Sequence, residues 1–128
     1  MTYYPDLSEY VYTVDDQRML NVGWLSASHA FPTGAVEAST MQAILRLCES
    51  QYNIMRGVHD CEFCDQESPL RVPADVERGY VSLGMGELRV KGVDGLTYAA
   101  PSLIYHYIEA HRYLPPSEFL AAVGAAGS

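Results

Sequence analysis

The sequence predicts an α+β fold: a compact single domain over residues 1–128, with short antiparallel strands, a β-hairpin and two or three helices. Three observations predict it. Apolar residues recur at helical spacing through 37–52. Alternating segments flank the Asp-Gly turn of KGVDG. A second helical block, SLIYHYIEAH, must end before Pro115-Pro116.

Each element follows from local pattern. Residues 1–10 read as a partly extended arm, because Pro5 and Asp6 interrupt a tyrosine-rich stretch, and Tyr10 and Tyr12 alternate about Val11 as in an edge strand. Segment 19–25 reads as a strand with Leu20, Val22 and Trp24 on one face. SASHAFPTG is a loop closed by Pro32 and Gly34. In the helix at 37–52, Met41, Ile44, Leu45, Cys48 and Tyr52 form the inward stripe, and Glu37 suits the positive end of the dipole. Region 66–80, with Pro69 and Pro73, carries no clear element. The hairpin pairs 86–90 with 96–98. Pro101 is placed at the first position of the next helix. Ser117 is placed as the N-cap of a last helix reaching Val123, and 124–128 are read as frayed.

Charge narrows the partners. Sixteen acidic residues against eight basic ones leave −8. Duplex DNA, RNA and anionic membranes need clustered Lys and Arg, whereas Arg71, Arg78, Arg89, Lys91 and Arg112 are scattered among acids. A basic protein surface, a cation or a neutral ligand fits better. No apolar run approaches the ~20 residues that span a bilayer, and MTYYPDLSEY has neither a basic nor an apolar leader segment; a cytoplasmic location is the expectation.

Cys48, Cys61 and Cys64 are an odd set, which argues against a disulfide framework. Cys48 falls in the helical stripe and reads as a small buried hydrophobe. Cys61 and Cys64 form a C-x-x-C preceded by His59. A redox pair of this type opens a helix, and DQESPLRVP does not. Thiolate and neutral imidazole are preferred zinc ligands, and the two-residue gap lets both sulfurs turn toward one point. The fourth ligand is sought in the helix bearing His106 and His111. Five positions apart, these lie about 140° apart around the axis. One of them is therefore expected at the ion and the other beside it. His106 is preferred, near the helix start, with His111 as its substitute. The predicted metal residues are His59, Cys61, Cys64, His106 and His111, and the cofactor is Zn2+. The order of Cys turn, hairpin and ligand-bearing helix is treble-clef-like, although the usual C-x-x-C on the helix is absent. His29, in SASHAFPTG, reads as a surface or turn residue.

The segments TYYPDLSEY, LNVGWL, HAFPTGAV, HDCEFC, GELRV and YAAPSLIYHYIEAHRYLPPSEFLAAV resemble those of a family of small uncharacterised bacterial proteins, a domain of unknown function. The likeness covers most of the chain, and its C-terminal block is the most distinctive part. It implies a bacterial, cytoplasmic, single-domain protein and no activity. It carries over at Cys61, Cys64, His106 and His111 only.

Two functions fit. A closed four-ligand site makes a zinc-stabilised binding or regulatory protein, whose acidic surface engages a protein partner, possibly basic; an immunity or antitoxin protein against a basic toxin is one form. A zinc hydrolase or deaminase would instead leave one position for water and need a nearby carboxylate, for which Glu62 and Glu109 are placed. Neither the H-x-E with P-C-x-x-C of deaminases nor H-E-x-x-H occurs, so no enzyme is expected.

Overall fold

The computed structural model describes residues 3–9, 19–49, 61–64, 70–73, 80–84, 86–92 and 95–126. Among them the chain runs β1 (Met19–Asn21), α1 (Ala38–Leu47), β2 (Leu70–Pro73), β3 (Tyr80–Leu83), β4 (Glu87–Lys91), β5 (Thr97–Pro101), α2 (Ile104–His111) and α3 (Ser117–Ala126). The α+β class stands.

The β4–β5 hairpin organises the fold. Its antiparallel register runs from Glu87 opposite Pro101 to Lys91 opposite Thr97. The turn closes where Gly92 donates to the Leu96 carbonyl at 2.7 Å, and Gly95 takes φ 85°, which an L side chain rarely adopts. β5 is the middle strand of the order β1-β5-β4, and all five of its residues are buried. Such a strand needs small or apolar side chains on both faces, and TYAAP supplies them. β1 joins its other edge in parallel, adding one parallel pair to the antiparallel ones.

Four details differ from the sequence expectation. The first strand stops at Asn21, because Gly23 turns the chain at φ 80° against the Ile104 side chain. Leu20 and Val22 pack on the main core as expected, while Trp24 packs with Met19 and Ala99 instead and donates its indole N–H to the Ala99 carbonyl. Pro101 ends β5 and does not start α2. The Ser102 N–H donates to the Gly86 carbonyl at 2.9 Å, which continues the hairpin pairing past Pro101, and α2 begins at Ile104. A second hairpin, β2–β3, lies in the region left unassigned, with Pro73 at its end opposite Tyr80. Finally, α3 runs through Gly124 to Ala126.

The helices cover the sheet. α1 carries the expected stripe, with Ile44, Leu45 and Cys48 buried and Met41 packed beside them; Tyr52 lies outside the described residues. Burial pushes the Cys48 thiol up to about 12, in keeping with an inert core residue. α1 packs on α3, and both meet β4. Phe119, Ala122 and Val123 are the inward face of α3. α2 ends where Arg112 adopts the left-handed conformation at φ 59°. The next residue, Tyr113, is fully buried and donates its hydroxyl to Asp6 at 2.8 Å. Asp6 also accepts from the Gly23 N–H at 2.9 Å, so the N-terminal arm is held to the core over 3–9. The edge strand read at Tyr10 and Tyr12 lies outside the described residues. No described helix is long and apolar enough to cross a membrane.

Candidate metal centre

The C-x-x-C turn folds as a knuckle. Phe63 donates its backbone N–H to the Cys61 sulfur at 3.4 Å, an arrangement that favours the thiolate over the thiol. The intervening Phe63 ring anchors the turn. It stands edge-on to Phe31 at 5.2 Å and to Tyr107 at 5.9 Å, and tilts toward the His111 ring at 5.5 Å. Glu62 points outward and accepts from the Ala27 N–H at 3.0 Å, tying the knuckle to the loop after β1.

α2 brings up the other half. His106 lies in its first turn and His111 is its last residue. The Cys61 sulfur is 3.4 Å from His111 Nε2, and the Cys64 sulfur is 3.3 Å from His106 Nε2. All four donor atoms lie within 4.8 Å of one another. Two sulfurs and two imidazole nitrogens at this separation can hold a metal ion.

Both histidines reach the cluster, which corrects the expectation that only one could. Their Cβ directions diverge by about 140°, but an imidazole projects well beyond Cβ, and the knuckle sits in the angle between them. The rings end with centroids 5.1 Å apart, inclined at 79°. His59, expected as a ligand, lies outside the described residues. The treble-clef-like order of knuckle, hairpin and helix is present, with β2–β3 inserted and with His106 and His111 in place of a helical cysteine pair.

The electrostatics suit the ligand roles. Burial, and then the neighbouring His111, lower the pKa of His106 and keep it neutral, the form that binds metal. Burial also holds the Cys61 thiol above its ordinary value, so without an ion the proton stays on sulfur. Cys61 is buried, whereas Cys64 and His111 are half-exposed, leaving the cluster open to solvent on one side.

Other candidate residues fall elsewhere. His29 is exposed and stacks on Tyr3, with centroids 3.8 Å apart. Glu109, like Glu62, is exposed on the surface. Sequence reasoning missed Phe63; an aromatic residue inside a C-x-x-C was the available signal.

No curated protein and no solved structure matches this chain. One family model does, over residues 2–124, and its description is a domain of unknown function. The chain belongs to the DUF7919 family.

Proposed function

We propose that this chain is a zinc-stabilised binding module, with Cys61, Cys64, His106 and His111 as the four ligands. The convergence of four donor atoms within 4.8 Å carries the reading. Zn–S bonds of about 2.3 Å and Zn–N bonds of about 2.0–2.1 Å place sulfur and nitrogen about 3.5 Å apart across a tetrahedron. The two sulfur–nitrogen separations, 3.4 and 3.3 Å, fit those edges. Mixed thiolate and imidazole donors favour zinc over magnesium or calcium, which take oxygen.

Four protein ligands fill a tetrahedron, so the ion serves as a staple and not as a seat for water. It fastens a short knuckle to a helix far along the chain, and binding energy becomes folding energy. Three free cysteines suit a reducing compartment, in line with a bacterial cytoplasm. The staple leaves the outer surface to a partner. Glu9, Glu37, Glu49, Glu62, Glu109 and Glu118 are exposed there, and the net charge of −8 suits a basic protein surface, such as that of a toxin held by an immunity protein.

Elemental analysis of the purified chain, with thermal melts before and after a chelator, tests the site. About one zinc per chain and a lower melting temperature after chelation support it; no metal and an unchanged melt overturn it. The binding role is tested by recovering the partner from the host and titrating it at low and high salt. Affinity that falls with salt supports charge-driven recognition, and salt-independent affinity contradicts it.

A further inference from the structure

We propose that Cys61 and Cys64 are a redox switch on the metal site: a hydroperoxide joins them as a disulfide and thereby releases the zinc. The proposal rests on the metal reading above and deepens it, by naming what controls the occupancy of the site.

Three observations carry it. The two sulfurs belong to one knuckle, and with the two histidine nitrogens they lie within 4.8 Å of one another. They are already near neighbours. Zinc–sulfur bonds of about 2.3 Å hold two sulfurs about 3.8 Å apart across a tetrahedron, and a disulfide needs about 2 Å. The two-residue gap keeps both on one turn, so side-chain rotation can close the difference. Second, the pair is unequally placed. Cys61 is 4% exposed, whereas Cys64 is half-exposed on the side where the cluster meets solvent. An accessible sulfur backed by a resolving one is the arrangement that oxidants act on. Third, Cys48 is buried at the end of α1 and stands outside the cluster, so the remaining thiol does not compete.

The step balances with hydrogen peroxide as the oxidant. The Cys64 thiolate attacks one peroxide oxygen, the O–O bond breaks, and a sulfenic acid forms as hydroxide leaves. The Cys61 thiolate then attacks the Cys64 sulfur and expels the second oxygen as hydroxide. Two thiolates lose two electrons, and the peroxide takes both. Each chain reacts once, so no helix-opening redox motif is needed. The thiolate is the form that binds metal, and disulfide sulfur carries no charge. Only His106 and His111 would remain as donors, half a tetrahedron, and the ion leaves. The knuckle then keeps the Phe63 ring contacts to Phe31 and Tyr107 and the Glu62 bond to Ala27, without the staple to α2.

The test treats the zinc-loaded, full-length chain with hydrogen peroxide. A chromophoric chelator that reports free zinc should read about one zinc released for each disulfide formed. Trypsin cuts after Arg56 and Arg71 and leaves both cysteines in one peptide, 57–71. That peptide should be lighter by two hydrogens, with Cys48 still a thiol. The melting temperature should fall to that of the chelator-treated chain, and a dithiol reductant with added zinc should restore it. Zinc that stays bound under peroxide overturns the proposal while the site stands. Zinc released with Cys64 carried to a sulfinic acid and Cys61 still a thiol also overturns it, because thiols do not reverse that product. A disulfide that includes Cys48 does the same. A wild-type chain that takes up no zinc overturns the metal reading and the proposal together. That failure is seen before any oxidant is added, so the two are distinct.

Discussion

Cys61 and His111 stand 50 positions apart in the chain, yet the sulfur of one lies 3.4 Å from Nε2 of the other. The contact joins a four-residue knuckle to the last residue of α2. Phe63 and Glu62 hold the knuckle by a ring cluster and one hydrogen bond. An ion at the cluster would bind the same two pieces far more strongly than either.

Replacing Cys61 should therefore remove metal and stability together. Cys61→Ser is expected to lose bound zinc and about 3 kcal/mol or more of stability, seen as a fall of about 10 °C in melting temperature. Cys48→Ser, whose thiol is buried away from the cluster, should lose stability and keep the metal. Zinc content and melts of the two variants check this.

Both histidines should matter. His106→Gln and His111→Gln are each expected to weaken zinc by more than the roughly 10–100-fold that changes around a metal site cost when the ligands are intact. Competition against a chromophoric chelator measures it. A full-affinity His111 variant would restore the single-histidine expectation.

That comparison shows what the sequence can and cannot disclose. The cysteine pair, the hairpin and the stripe of α1 were legible because each is local: a two-residue gap, an Asp-Gly turn, a 3.6-residue period. The convergence of His106 and His111 on one cluster was not, because angular separation on a helix ignores how far an imidazole reaches. The place of Pro101 is set by a contact that is likewise not local. Its ring suits a helix start, but the bond from Ser102 to Gly86 carries the hairpin past it. Hairpin β2–β3 was hidden by its prolines, because Pro is as much at home in a loop as at a strand end, where Pro73 stands. The parallel pairing of β1 with β5 joins residues too far apart in the chain for any local pattern to show.

The N-terminal arm should be stability-bearing. Tyr113→Phe removes the hydroxyl that Asp6 accepts at 2.8 Å and leaves a half-buried carboxylate with its bond to Gly23. A hydrogen bond to a charged group is worth about 1.5–3 kcal/mol, and a loss in that range is expected from urea unfolding at pH 7.

Gly23→Ala should also destabilise the fold. At φ 80° a new Cβ would stand 2.8 Å from Ile104 Cδ1. Left-handed backbone costs an L residue about 1–2 kcal/mol, and the displaced Ile104 adds to that. A chevron or melt of the variant measures the sum.

Alkaline conditions should unfold the chain through its buried protons. Burial raises the Cys48 thiol from 9.0 to about 12, and burial with the Asp6 charge raises the Tyr113 phenol above its ordinary range. A raised folded-state pKa gives stability that is complete below the unfolded value and is lost as pH rises toward the folded one. For Cys48 the loss begins near pH 9 and approaches about 1.4 kcal/mol per pH unit. Tyr113 adds to it above pH 10. Cys48→Ala should show a shallower fall between pH 9 and 12 in unfolding titrations.

X-ray absorption at the zinc edge of the purified protein reads the ligand shell itself. Two sulfur neighbours at about 2.3 Å and two nitrogen neighbours at about 2.0–2.1 Å are expected around one zinc. A zinc shell without sulfur, or a chain that carries no metal, would contradict the four-ligand site.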